Sequence, residues 1–364
     1  MPNNLLTPQI IAQEALMVLE SQLTMANLVH RDYSKEFVQV GDTITVRKPA
    51  KFVAKNFTGT VSAQDIAEGS VPVKMDRFRD VTVKVTSKEM TLDIKDFSEQ
   101  VVAPALTAIA QAIDTDLLTV GIEKAGKNAA VSGTPVLADI AGVGKALDQS
   151  KAPKNDRRLV LPAEIQYKYN TLDNFAKQCY AGDSKALRDA EIGKVYTCET
   201  FSSENCPQSA AATPGTVTAL KVTGTKDQKQ FTVSDATPAT GKFAVGDQII
   251  VNGYLYTVAE AVTLASGAGT LKVEEEIPAT ISSAVDAKPI IKAHALGFHR
   301  NGIALVTRQL ELPMGASKAY IASANGLAVR VVMDYDTNTK TDTISFDIIY
   351  GIKELDKELL VDFA

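Results

Sequence analysis

Residues 91–126, TLDIKDFSEQVVAPALTAIAQAIDTDLLTVGIEKAG, predict one unusually long helix around which the rest of the chain is organised. Asp96 is a candidate N-cap, and Glu99 occupies the capping-box position three residues later. Gly126 supplies the stop signal. Six apolar residues repeat at spacings of three and four and predict one buried face: Val102, Leu106, Ile109, Ile113, Leu117 and Val120. At 1.5 Å per residue, this helix would be roughly 45 Å long.

Pro104 interrupts the helical pattern. Because proline has no N–H to donate and its ring crowds the preceding turn, it predicts a kink at this point, unless the helix begins at Pro104 itself.

Length and composition indicate a large globular protein. The 364 residues exceed the ~250–300 at which a single core stops growing, so two or more lobes are expected. A net charge of −5 argues against a protein that reads nucleic-acid sequence. Three cysteines, Cys179, Cys198 and Cys206, favour a reducing cytosol. The N-terminus lacks a basic signal region, and the apolar run 101–113 is too short to span a bilayer, so an intracellular protein without membrane contact is expected.

The N-terminal segment predicts an amphipathic helix, with Thr7 as N-cap and Pro8 at its first position. Its apolar stripe consists of Ala12, Leu16, Leu19 and Leu23. Two interpretations stay open: the stripe packs on the body of its own chain, or the helix is an arm that docks on another protein or a neighbouring copy.

A long charged hairpin is predicted between a strand that ends at Pro49 and the alternating strand at 81–86. Its basic residues are Lys51, Lys55, Lys74, Arg77, Arg79 and Lys84. They are interleaved with Asp65, Glu68, Asp76 and Asp80. This mixed charge suits contact with an equally charged neighbour, and a solvated face explains it equally well.

The rest of the chain predicts an α/β lobe with an all-β insertion. A helix at 139–150 and a short buried strand at 159–161 form the lobe, and small and polar residues at 207–214 form a linker. Residues 216–287 have strand and turn signals throughout and predict a small antiparallel barrel. Near the C-terminus, alternating strands flank a turn at 336–340 and predict a second hairpin.

No catalytic, cofactor or metal site is predicted. Residues 121–128 have the spacing of a phosphate-binding loop, but Asn128 replaces the required Ser/Thr, and the segment ends a helix rather than beginning one. His294 and His299 are five residues apart and point to different faces of any regular element, so they and Cys206 could join as zinc ligands only through folding.

The order of these elements resembles the α+β fold of tailed-phage major capsid proteins, the Hong Kong 97-type fold. VHRDYSKEFVQVGDTITVRKP, LVLPAEIQ, LRDAEIGKVYT, FHRNGIALVTRQLELP and DIIYGIKEL are similar to short-tailed-phage coat proteins that carry an inserted domain. The resemblance implies an N-terminal arm and first strand (1–48), an extended loop (49–87) and a peripheral domain with the spine helix (88–130). It further implies an axial domain (131–213 and 292–326), an inserted β-barrel (214–291) and peripheral strands (327–364).

The resemblance implies a protein that self-assembles, as pentamers and hexamers, into an icosahedral shell around double-stranded DNA. Scaffolding and portal proteins would be partners, contact with packaged DNA would be non-specific, and the locations would be the host cytoplasm and then the virion. Some relatives cross-link Lys to Asn between subunits; Lys51, Lys55, Lys74 or Lys84 could donate, but the sequence assigns no matching Asn. The predicted assembly contacts are Leu16, Leu19, Leu23, Lys51, Lys55, Lys74, Arg77, Arg79, Asp65 and Glu68. Two alternatives stay open: a β-rich ligand-binding module, and a metal-dependent enzyme around His294, His299 and Cys206.

Overall fold

A computed structural model describes residues 8–31, 43–48, 69–86, 98–132, 134, 136–176, 192–209, 217–313 and 318–364. Within these ranges the helices are α1 (Pro8–Gln22), α2 (Met25–Leu28), α3 (Ala103–Glu123), α4 (Leu137–Gln149), α5 (Ala163–Asn170) and α6 (Asp173–Ala176). The chain divides into two compact units. The first comprises residues 1–23, 30–112 and 303–355, and the second comprises 24–29, 113–302 and 356–364.

The strands of the first unit are β1 (Thr43–Lys48), β2 (Gly69–Lys74), β3 (Arg77–Thr86), β17 (Ile303–Arg308), β18 (Lys318–Ala324), β19 (Leu327–Asp336) and β20 (Thr341–Glu354). The second unit contains β4 (Lys127–Ala129), β5 (Arg157–Leu161), β6 (Lys194–Val195), β7 (Cys198–Ser202), β16 (Ala295–His299) and β21 (Leu360–Phe363). Its inserted region contains β8 (Ala219–Gly224), β9 (Gln230–Thr237), β10 (Lys242–Phe243), β11 (Gln248–Val251), β12 (Tyr254–Thr257), β13 (Val262–Thr263), β14 (Gly269–Lys272) and β15 (Ile281–Pro289).

Within the described residues, the spine helix runs from residue 98 to residue 123. A π-helical turn, Ser98–Val102, precedes α3, and regular α-helix begins one residue before Pro104. The proline therefore lies where the helix changes geometry, which fits its missing N–H. Asp96 lies outside the described residues. All six residues of the predicted stripe are buried, and burial extends around the second half of the helix to Leu118 and Ile122.

Residues 100–123 are long and apolar enough, with a mean hydropathy of 1.4, to cross a membrane by length and composition alone. The expectation based on the shorter run 101–113 missed this. However, 56% of the apolar 18-residue segment of this helix is buried inside the protein. The helix also carries Asp114 and Asp116, both buried. Packing inside the protein therefore accounts for the apolar character of this helix.

The first unit is built on a five-stranded antiparallel sheet around the long strand β20. β3 pairs with one side of β20, whereas β19 and β17 share its other side in succession, and β18 pairs with β19. The turn between β19 and β20 confirms the predicted C-terminal hairpin. The residues at 81–86 were predicted to be an arm of the extended hairpin, but they belong to β3 and pair with β20. The hairpin within the described residues consists of β1 and β2.

The second unit contains a six-stranded mixed sheet in the order β4-β21-β16-β5-β7-β6. Its core is formed with α4 and α5, and includes Val143, Leu159, Tyr169 and Phe363. Two strand placements bear on the predicted domain bounds, which stay a prediction. β17 and β18, within the predicted axial segment 292–326, lie in the sheet around β20, and β21, within the predicted peripheral strands, lies in this six-stranded sheet. Both placements concern strands that pair with distant segments.

Residues 217–290 form an antiparallel β lobe with its own core. The strand order is β12-β11-β15-β8-β9-β14, and β10 pairs with β13. The core includes Phe231 and Tyr256, whose rings meet edge to face at 4.8 Å. A bridge between Val258 and Val273 connects the ends of the two outer strands, β12 and β14. A closed barrel remains a prediction, since the strand ladder itself is open.

Candidate assembly surface

The predicted apolar stripe of α1 packs within its own chain. Leu16, Leu19 and Leu23 are at most 8% exposed, and α1 lies against β18 and β19. The stripe therefore packs on the body of its own chain, the first of the two interpretations. In this structure the three leucines are not accessible to a neighbouring copy. The exposed apolar residues of α1 are Ile10 and Met17, the latter 69% exposed. Their spacing of seven residues places them together on the outer face of the helix.

The charged residues of the predicted hairpin fall into two groups. Lys51, Lys55, Asp65 and Glu68 lie outside the described residues. The others lie on or beside β2 and β3: Lys74, Asp76, Arg77, Arg79, Asp80 and Lys84. Among these, Lys74 and Lys84 are exposed and remain open to a neighbour.

Arg77 and Arg79 face inward instead. Arg77 is only 6% exposed, and Arg79 donates from Nε to the hydroxyl of Tyr350 at 3.4 Å. Both share the face of β3 that carries Val81, Val83 and Val85, because side chains alternate along a strand. Extending the alternation of 81–86 backwards would have predicted this from the sequence. The two arginines therefore lie on the strand, but they are not part of an exposed charged surface of the hairpin.

Asp114 has a structural role that the sequence pattern did not reveal. Its carboxylate accepts backbone hydrogen bonds from three consecutive residues, at 2.9 Å from Thr24, 3.0 Å from Met25 and 3.3 Å from Ala26. Burial raises the pKa of Asp114 to about 6, and these three bonds act in the opposite direction. At the other end of the segment, the guanidinium of Arg158 donates to the carbonyl oxygen of Leu28. Two opposite charges therefore fasten the segment Thr24–Val29.

The candidate histidine ligands have other partners within the chain. His294 Nδ1 lies 2.7 Å from Asp362 Oδ1, with Lys288 Nζ 3.7 Å from the other carboxylate oxygen. His299 accepts a hydrogen bond from the Asn301 backbone, and burial lowers its pKa. Burial raises the pKa of the Cys206 thiol. Within the described ranges, no group of three or more His, Cys, Asp and Glu side chains could hold a metal ion.

The near match to a phosphate-binding loop is also explained by packing. The segment spans the end of α3 and the start of β4, and the Gly126 N–H donates to the carbonyl oxygen of Lys357 at 2.9 Å. A Cβ at Gly126 would lie 2.6 Å from that same oxygen. The glycine therefore permits close approach of two backbone segments.

Two clefts open on the described surface. One of about 630 Å³ lies beside β18 and is lined by residues that include Arg308, Glu311, Ile321 and Ser323. Another of about 530 Å³ lies between α4 and the turn at Tyr196.

Comparison with known structures identifies the fold. The chain is similar to a structure from Mycobacterium phage Che8, with a TM-score of 0.55 and 15% identity over 94% of this chain and 90% of that one. It is similar to the capsid structure of cyanophage P-SCSP1u, with a TM-score of 0.51 and 11% identity over 90% and 84%. The mature capsid of bacteriophage PhiM1 gives a TM-score of 0.50 and 8% identity over 89% and 82%.

No protein-family model matches the sequence, and no curated protein does. At such low identity the likeness concerns the fold alone, and it extends over nearly the whole chain. The mixed α+β architecture, with α3 and the sheet around β20, is the architecture of these phage structures. The chain therefore has the fold of tailed-phage major capsid proteins.

Proposed function

We propose that this chain is a major capsid protein that self-assembles into the icosahedral shell of a tailed phage. The observation that carries the proposal is the extent of the structural likeness, which covers 94% of this chain and 90% of the Che8 chain. The role is structural and involves no reaction.

The proposed assembly proceeds through many copies of modest interfaces. Rings of five and six copies would combine into a closed shell, and association would depend steeply on subunit concentration. Scaffolding and portal proteins are the proposed partners during assembly in the host cytoplasm, and the virion is the final location. A net charge of −5 suits storage of double-stranded DNA with weak, non-specific contact.

The charged loop is the proposed contact between neighbouring copies. Lys51, Lys55, Asp65 and Glu68 would meet opposite charges on the next subunit, and the exposed Lys74 and Lys84 would extend this contact. This proposal rests on the sequence of the loop, its mixed charge and the exposure of the two lysines.

Purification of the full chain tests the proposed function. We expect size-exclusion chromatography to resolve ring-sized or shell-sized species that grow with concentration, and negative-stain microscopy to show shells when a scaffolding protein is co-expressed. A protein that stays monomeric at every concentration and with scaffold present would refute it.

A charge-reversal pair tests the loop contact. Lys51→Glu together with Lys55→Glu should reduce the assembled fraction at least ~10-fold while thermal unfolding of the subunit stays unchanged, because rim charges affect association more than folding. Lys221→Glu, an exposed lysine on β8, is the matched control and should assemble normally. If the wild type, the double variant and Lys221→Glu assemble equally, the loop is not part of the contact.

A further inference from the structure

One outer strand of the five-stranded sheet has an open side. In the part of the chain that the structure describes, β18 pairs with β19 alone, in unbroken register from Lys318 opposite Met333 to Ala324 opposite Leu327. Strands with an open side present unpaired N–H and C=O groups and act as templates for pairing with another chain. The open side of β18 is therefore a candidate interaction surface.

The turn between β18 and β19 determines which groups point outward. Asn325 and Gly326 have φ values of 51° and 77°, the signature of a two-residue type I′ turn. Ala324 and Leu327 flank this turn, and their backbones hydrogen-bond to each other. Along an antiparallel ladder, hydrogen-bonded pairs alternate with non-hydrogen-bonded pairs. The residues that bond to β19 are therefore Lys318, Tyr320, Ala322 and Ala324. The backbone groups that point away from the sheet are those of Ala319, Ile321 and Ser323.

This side of the strand is accessible. Ser323 is exposed, and Ala319 and Ile321 are half-buried. The side chains of these three residues lie on one face, where Ile321 and Ser323 line the cleft of about 630 Å³. On the opposite face, Ala322 is buried. An added strand would therefore have room for its side chains beside the backbone groups that bind it.

β18 lacks the features that normally prevent pairing between sheets. Charged residues, proline and bulges protect outer strands. The strand at the other side of this sheet, β3, carries Arg77, Arg79, Asp80 and Lys84. In contrast, the sequence of β18, KAYIASA, contains one charged residue, Lys318, and no proline. Compared with β3, β18 is thus the outer strand suited to receive a partner.

We propose that β18 pairs antiparallel with β18 of a second copy, about a two-fold axis at Ile321. Ile321 of one copy would lie opposite Ile321 of the other, and Ala319 opposite Ser323. The outward backbone N–H and C=O groups of the two strands would then hydrogen-bond to one another. Lys318 would lie opposite Ala324, which separates the two lysines by roughly 20 Å and avoids like-charge contact. The same surface is used on both copies, as a two-fold contact requires. The inference rests on the proposed function only in taking another copy as the partner.

Disulfide trapping tests this register. Directly opposed residues in a bonded antiparallel pair have Cα atoms about 5.5 Å apart, which is within disulfide range. Ile321→Cys should therefore give a covalent dimer on non-reducing gels after mild oxidation of concentrated full-length protein. Ala319→Cys is the matched control, because its two copies would be roughly 13 Å apart. The wild type gives the background, and its described cysteines, Cys198 and Cys206, are buried.

Amide exchange gives a second readout on the unmodified protein. On association, the amides of Ala319, Ile321 and Ser323 should slow at least ~10-fold, whereas those of Tyr320 and Ala322 are already protected in the free subunit. Unchanged exchange at the three outward amides would overturn the pairing, as would the lack of an Ile321→Cys dimer or equal trapping at Ala319→Cys. Failure of the wild type to form shells would instead refute the proposed function.

Discussion

The inserted lobe and the six-stranded sheet, both in the second unit, are assembled from the chain in opposite ways. The lobe uses the single continuous stretch 217–290, and it has its own core around Phe231 and Tyr256. The sheet collects short strands from across the chain, so that β16 pairs with β5 on one side and with β21 on the other. One region is nearly self-sufficient, while the other exists only when remote segments meet.

This difference determines how each region should respond to damage. In the lobe, every strand pair lies within the one stretch 217–290, so its order depends mainly on its own core. In the sheet, the pairs β5–β16, β16–β21 and β4–β21 each close a long loop, whose entropy must be offset by packing. We therefore expect mutations in the lobe to have local effects, and mutations around the sheet to affect the rest of the unit.

The largest effect is expected in the lobe. Phe231→Ala removes a fully buried ring that meets Tyr256 edge to face, and should cost about 3–5 kcal/mol. Amide exchange should accelerate across 217–290 but much less in β5 and β16. If exchange rises equally in both regions, the lobe does not have an independent core and the comparison fails.

Leu117→Ala should cost about 2–5 kcal/mol, because Leu117 is fully buried on α3. Denaturant unfolding of the subunit measures the loss, and we expect it to extend beyond the helix to the six-stranded sheet. Gln111→Ala, at an exposed position of the same helix, is the control and should be nearly neutral. An unchanged unfolding midpoint for Leu117→Ala would show that α3 is not part of the core.

Asp114 provides a pH test of the segment that α3 holds. Its pKa is raised from 3.8 to about 6 by burial, so the folded state binds a proton more tightly than the unfolded state. The resulting stabilisation is fully present below about pH 3.8 and is lost as the pH rises through about 6. Relative to Asp114→Asn, the wild type should therefore gain up to roughly 3 kcal/mol between pH 7 and pH 4.

This comparison is made by denaturant unfolding of both proteins across that range of pH. The asparagine variant serves as the reference because it does not titrate, so shared effects of acid on other groups cancel. A stability difference that is flat with pH would mean that the carboxylate is hydrated in solution.

The smallest effect is expected from two glycines of the α/β sheet region. A Cβ at Gly297 would lie 2.4 Å from Cγ1 of the fully buried Val143, so Gly297→Ala should cost about 1–3 kcal/mol. Gly142 on α4 has its nearest neighbouring atom at 3.9 Å, and Gly142→Ala should stabilise by about 0.5–1 kcal/mol. Thermal unfolding of the two variants gives the signs, and equal shifts would mean that β16 can move away from α4.

Local patterns predicted several elements correctly. The apolar stripe of α3, the all-β character of the insertion and the hairpin of β19 and β20 each depend on periodicity or turn residues within one stretch of sequence. The buried stripe of α1 was also evident, but periodicity cannot tell whether such a stripe packs on its own chain or on another.

The errors concern partners that are distant in sequence. The strand at 81–86 was correctly predicted, yet its pairing with β20, across more than 200 residues, was not. The pairing of β17 with β20, and of β21 with β4 and β16, likewise joins segments that are distant in sequence. The hydrogen bonds of Asp114 to Thr24, Met25 and Ala26 also join segments about 90 residues apart. Nothing in either local sequence encodes that contact.

The position of β21 has a consequence for synthesis of the protein. This strand, Leu360–Phe363, lies inside the six-stranded sheet between β4 and β16, and its Phe363 stacks on Tyr169 at 6.3 Å. During synthesis, the backbone N–H and C=O groups of β4 and β16 that pair with β21 therefore stay unpaired until residue 363 has left the ribosome. A translation product that stops short of β21 would offer these strands to aggregation, so synthesis of β21 must precede any use of the subunit.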